Sequence, residues 1–170
     1  MLEDLSKAAQ MAGDKAFQYG IFTDRPNEAG SRMEPFVLES LKEVGLKAGK
    51  RTSKSGKIKS AGYPDIQIED RFGGIIYLDC KTYSAKTKNQ SFRTFYFSPF
   101  LDPKITRDAF HLLMGFELTV SDRKGKRAFV PVSWQIYTLE RLLIQIKHEF
   151  NASNKELYRP EALLRTGTIS

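Results

Sequence analysis

Residues 75–82 read Ile-Ile-Tyr-Leu-Asp-Cys-Lys-Thr, and few folds accept such a segment. Apolar side chains occupy both alternating faces, the pattern of a strand covered on both sides and hence central in a sheet. Asp79 and Lys81 interrupt the apolar run. Strand side chains alternate, so the two charges share one face and Cys80 points to the other. Upstream, residues 63–69 alternate, with Ile66 and Ile68 on one face and Asp65, Gln67 and Glu69 on the other. Residues 70–74, Asp-Arg-Phe-Gly-Gly, read as a turn, so a hairpin is expected. Pairing of its strands sets Asp65, at the start of the first, beside Asp79, near the end of the second.

The rest of the chain reads as one domain spanning residues 1–170, without repeats or a low-complexity linker. Leu2, Leu5, Ala9, Ala12 and Ala16 have helical spacing and predict an N-terminal helix over 2–17 with a stripe of small area. Residues 19–30 carry loop formers. Ser31 and Glu34 form a capping-box pattern that opens a second helix, with Pro35 in its first turn. Val37, Leu38, Leu41 and Val44 are its apolar stripe, and Gly45 ends it. Residues 47–60 are basic, part edge strand and part flexible loop around 53–56. The segment 83–104 resists assignment, and a short helix is expected over 103–110. Strands are expected over 111–120 and 127–137, with a turn between. Thr138 is read as the cap of a helix over 139–150. The catalytic core is placed at about 30–150 and a short extension at 151–170, with one amphipathic piece over 160–164.

Lys and Arg number 27 against 20 Asp and Glu, a net charge of +7 that favours a polyanionic partner. One cysteine excludes an internal disulfide and a Cys-based zinc site. No apolar run reaches the roughly 18 residues of a membrane span, and the first ten residues lack the apolar core of a signal peptide. A cytoplasmic protein is expected.

Two carboxylates a few Å apart resist ionising together unless a cation sits between them. Hard oxygen ligands with open water positions suit Mg²⁺. Lys81 beside them can hold an attacking water or steady a developing phosphate charge. This equipment suits metal-assisted hydrolysis of a phosphodiester. Glu34 shares a helix face with Val37, Leu38 and Leu41 and is aimed inward, so it is the acid chosen from its helix.

Gly30 to Glu34 on a helix, then Gly62-Tyr63-Pro64-Asp65, then Tyr77-Leu78-Asp79-Cys80-Lys81, resembles the PD-(D/E)xK nuclease superfamily, most closely its type II restriction endonucleases. The likeness covers residues 30–83 and thins beyond them. It implies an α/β fold with a restriction-endonuclease-like core, a mixed central sheet flanked by helices. It implies Asp65 and Asp79 as metal ligands, the Cys80 backbone carbonyl as a third, Lys81 as the catalytic lysine, and Glu34 as the helix glutamate of many members. The expected activity is Mg²⁺-dependent cleavage of double-stranded DNA at a specific site. A homodimer is expected for a palindromic site, with a DNA methyltransferase as a partner of the same system. A Holliday junction resolvase-like nuclease and a non-catalytic DNA-binding module of the same fold are the alternatives.

Each of these residues also has a plainer reading. Pro64-Asp65 is a common turn pair. Asp79 and Lys81 could be a solvated strand pair, but their strand looks buried and buried charges need a reason. Glu34 could complete its capping box, and one rotamer cannot serve both roles. Lys50, Arg51, Lys54, Lys57 and Lys59 precede the candidate site and are expected on DNA phosphates. Lys86, Lys88, Asn89, Gln90 and Arg93 are the second DNA-binding candidates, several of types suited to base edges. Phe92, Phe95, Tyr96, Phe97 and Phe100 read as core or dimer interface, and His111, His148, Cys80 and Trp134 as structural.

Overall fold

The computed structural model describes residues 1–58, 62–88, 102–142 and 159–165. Helix α1 is Leu2–Tyr19 and α2 is Ala29–Glu43; strands β1 to β5 are Lys47–Lys50, Ile66–Glu69, Ile75–Tyr83, Phe110–Arg123 and Lys126–Thr138. The five strands form one sheet in chain order. Every neighbouring pair is antiparallel except β3 with β4, which run parallel. The architecture is α/β with a mixed sheet, and β3 lies at its centre.

Both helices cover the same face of that sheet. Ile66, Ile68, Ile76, Leu78, Cys80, Met114 and Phe116 share one buried cluster with Met33, Val37 and Leu41 of α2 and with Leu5 and four alanines of α1. The alanines, Ala8, Ala9, Ala12 and Ala16, are fully covered. Their small side chains let α1 approach the sheet closely; a Cβ added at Gly13 would lie 3.8 Å from the Phe116 ring. Leu2 is left 66% exposed, so the stripe starts at Leu5 rather than at Leu2.

Four local expectations are corrected. Helix α2 begins at Ala29, without a side-chain cap, because a 3-10 turn over Pro26–Glu28 feeds directly into it. Proline presets the backbone of that turn. Ser31 and Glu34 therefore lie inside the helix, their capping box is not formed, and Pro35 stands beyond the first turn. The expected helix over 103–110 is absent, since those residues run without helix until β4 starts at Phe110. Residues 139–142 form a turn instead of the first helical turn, with Thr138 Oγ1 accepting the Glu140 N–H at 3.3 Å; the rest of the expected helix lies outside the described residues. The loop around 53–56 is a tight turn tied down by hydrogen bonds. Ser53 N–H donates to the Lys57 carbonyl at 2.8 Å, and Asp102 accepts from Ser55 N–H and Oγ at 2.7 and 2.8 Å.

Candidate active site

The alternation of β3 turns Asp79 and Lys81 away from the helices, while Cys80 enters the core. Asp79 is 1% exposed. Lys81 Nζ lies 2.6 Å from Asp79 Oδ2. The ammonium is thus the charge partner of that buried oxygen. Asp65 directly precedes the Ile66–Leu78 pair, which sets it opposite Asp79. Its Oδ2 accepts the Cys80 N–H at 3.0 Å, and its carbonyl accepts the Arg51 N–H at 3.1 Å. The backbones of two neighbouring strands thus fix Asp65 in place.

Burial, and after it the charge of Asp65, pushes the Asp79 carboxyl up to about 7, against the opposing pull of Lys81. Burial alone would lower Lys81, but Asp79 and Asp65 outweigh it and leave the ammonium raised. Glu34 is half-buried on α2 and raised by burial and by Asp65, with Lys50, Lys81 and Lys104 opposing. It therefore stands within electrostatic reach of Asp65 and Lys81. Among the described residues no three His, Cys, Asp or Glu side chains come close enough to share a metal ion. The Asp pair alone supplies two carboxylates of the hard-oxygen type, next to one ammonium. Burial raises the Cys80 thiol well above its usual range.

Lys104 carries no signal in the sequence. It is 7% exposed, and its Nζ donates to the carbonyls of Gly62 and Pro64 at 2.6 and 3.1 Å. Both carbonyls belong to the turn that delivers Asp65. Arg51 braces the same strap: Nε donates to the Lys104 carbonyl, Nη2 donates to Thr106 Oγ1 at 2.7 Å, and the guanidinium lies 5.6 Å from the Tyr77 ring. Tyr63 Oη and His111 Nδ1 share a 2.8 Å hydrogen bond beside Tyr77. Contacts between positions this far apart in sequence leave no local periodicity to read.

The other basic candidates are spread out. Lys50 is exposed at the end of β1, and Lys54 and Lys57 are exposed on the turn that follows. Lys86 and Lys88 are exposed just past β3, with Lys88 Nζ 5.7 Å from the Tyr83 ring centre. Lys59, Asn89, Gln90, Arg93, the aromatic run at 92–100 and His148 lie outside the described residues. Among those described, no helix is long and apolar enough to cross a membrane.

Residues 1–161 match a family described as the type II restriction enzyme MjaV family. A curated relative, type II restriction enzyme MjaV of Methanocaldococcus jannaschii, is 35% identical over 179 aligned positions, covering 96% of this chain and 76% of the relative. No solved structure matches the chain.

Proposed function

The chain belongs to the MjaV family of type II restriction enzymes, a site-specific DNA endonuclease, and from that premise we propose that Asp65, Asp79 and Lys81 form its cleavage centre, with Mg²⁺ as cofactor. The family match sets aside the junction-resolvase reading and the non-catalytic one. The observation that carries the proposal is the junction of β2 and β3. There, two carboxylates and an ammonium converge on one face of a central strand, with Asp65 tied to the Cys80 N–H. This is the grouping that defines a PD-(D/E)xK site.

The donor set fits a hard divalent cation. Two facing carboxylates, one held at about 7 by burial and by its neighbour, gain when a cation is placed between them. Asp65 and Asp79 would hold Mg²⁺, the Cys80 carbonyl would add a third oxygen, and Glu34 would assist from α2. When bound, such an ion supplies Lewis-acid stabilisation and a more acidic water. Lys81 remains protonated and donates from Nζ to the attacking water or to a phosphate oxygen as charge builds there. A homodimer would let two such centres meet the two strands of a symmetric site. A DNA methyltransferase of the same specificity would be the companion activity.

Cleavage of supercoiled plasmid by Asp79→Asn tests the centre. Wild-type protein is expected to give discrete fragments in Mg²⁺ and none in EDTA. The variant should bind DNA and cut at least a thousandfold more slowly, on the order of 4 kcal/mol of lost transition-state stabilisation. Cleavage by the variant at near wild-type rate would remove Asp79 from the centre.

A further inference from the structure

The ladder between β3 and β4 ends at Tyr83 and Glu117. Past that level β4 and β5 continue as a two-stranded ribbon to the Arg123–Lys126 pair. The ribbon turns at Lys124 and Gly125, whose φ angles are 56° and 74°. Both lie in the left-handed region, as in the two-residue turns that match ribbon twist. Asp122 Oδ1 accepts the Gly125 N–H at 2.9 Å and fixes the turn. The tip reads Arg-Lys-Gly-Lys-Arg over residues 123–127.

These cations divide by role. Arg123 faces inward, donating from Nη2 to the Phe17 carbonyl at 3.1 Å with its guanidinium 5.0 Å from the Phe17 ring, which braces the ribbon on α1. Ile21 and Phe129 exchange two 2.8 Å backbone hydrogen bonds and brace it again. Lys124, Lys126 and Arg127 are exposed, and none of the three forms an ion pair among the described residues.

Lys126 and Arg127 face Arg25 and Arg32 across a concavity of roughly 460 Å³. Glu28 and Asp24 also line it. Glu28 is already matched, 3.6 Å from Arg25 and 3.8 Å from Arg32. The four cations of the concavity thus come from a loop, a helix and a braced ribbon and outnumber its two acids, and Lys124 is exposed next to them at the ribbon tip. A merely solvated surface needs no such convergence on one concavity; a polyanion does.

This surface lies at the catalytic end of the sheet. Helix α2 enters beside β3, since a Cβ at Gly30 would lie 3.7 Å from Thr82 Oγ1. The ribbon leaves the sheet at the same end. Gly115, the partner of Lys81, is eight residues before Arg123, a span of about 26 Å at roughly 3.3 Å per residue. At about 3.4 Å per base pair this corresponds to about eight base pairs.

We propose that Arg25, Arg32, Lys124, Lys126 and Arg127 form a clamp on the DNA sugar-phosphate backbone flanking the cleaved bond, up to about eight base pairs away. The clamp rests on family membership as a DNA endonuclease, and its distance from the cleaved bond rests on the centre proposed at Lys81; backbone binding itself needs no metal.

The test measures binding of Lys126→Gln/Arg127→Gln to a non-cognate 40-base-pair duplex, without divalent metal, at several salt concentrations. Phosphate contacts carry no sequence information, so no recognition site is required. The slope of log affinity against log salt should flatten by up to about two units, and affinity near 0.1 M salt should fall at least tenfold. Lys126→Ala alone should lose up to about one unit and gives a second reading should the double variant fold poorly. An unchanged slope on this duplex in both variants overturns the clamp, whatever happens to cleavage.

Discussion

On the helix side of β3, Ile76, Leu78 and Cys80 join a core built with Met33, Val37, Leu41 and the alanines of α1. On the opposite side, Tyr77 and Asp79 are just as thoroughly covered, but the surroundings are polar. Tyr63, His111 and Arg51 gather around Tyr77, while Lys104 secures the turn that brings Asp65 to Asp79. Equal burial thus serves opposite ends. The apolar side contributes transfer free energy without demanding a particular partner. The polar side must satisfy each buried charge individually, and its geometry follows from doing so.

Two substitutions one strand face apart should separate these roles most sharply. Lys81→Ala should slow single-turnover cleavage by a few orders of magnitude with a small change in affinity, because in the proposed centre its ammonium acts on charge that builds during reaction. Leu78→Ala should cost about 2–5 kcal/mol of stability while folded molecules retain their cleavage rate. Chemical denaturation and single-turnover assays on both proteins check the contrast. It breaks if Leu78→Ala loses rate rather than stability, or Lys81→Ala the reverse.

The second way to sharpen it is pH. In metal-free protein Asp79 keeps its proton up to about 7, whereas an unfolded Asp releases it near about 3.9. Between those values the folded state binds more protons, so stability should fall as pH rises, by at most about 1.4 kcal/mol per pH unit. Asp79→Asn should flatten that decline. Denaturation in EDTA at pH 5 and pH 8 checks it, and stability rising over that interval would contradict the assignment.

The smallest effect is expected at Lys104, whose Nζ donates to the carbonyls of the turn that delivers Asp65. Lys104→Met should leave the Gly62 and Pro64 carbonyls short of a donor and loosen Asp65. A roughly tenfold drop in cleavage should accompany a higher Mg²⁺ requirement and weaker Ca²⁺ binding by calorimetry, with partial recovery in Lys104→Arg. A fall in thermal stability with unchanged metal binding would make Lys104 purely structural.

How much of this was legible follows the same division. The core side of β3, the hairpin with β2 and the approach of Asp65 to Asp79 come from short-range alternation, which a sequence displays. Lys104 and Arg51 act across about forty to fifty positions and leave no local trace. Ser31 and Glu34 matched a capping box, but the 3-10 turn from Pro26 had already started the helix. Residues 103–110 looked helical in isolation, yet Lys104 and Thr106 are drawn into bonds with the turn before Asp65, with Arg51 and with Tyr77. The basic ribbon tip read simply as a turn, since its convergence with Arg25 and Arg32 exists only in three dimensions.

Cys80 is the single thiol of the chain, 2% exposed in the core. Burial suppresses the thiolate, the reactive form. Alkylating reagents therefore find a target only when the central strand lets go of its neighbours. The chain thus carries its own clock for opening, set between the two carboxylates and the lysine of the proposed centre. A covalent dimer joined through this sulfur would likewise report molecules that had come apart, not an association of intact ones.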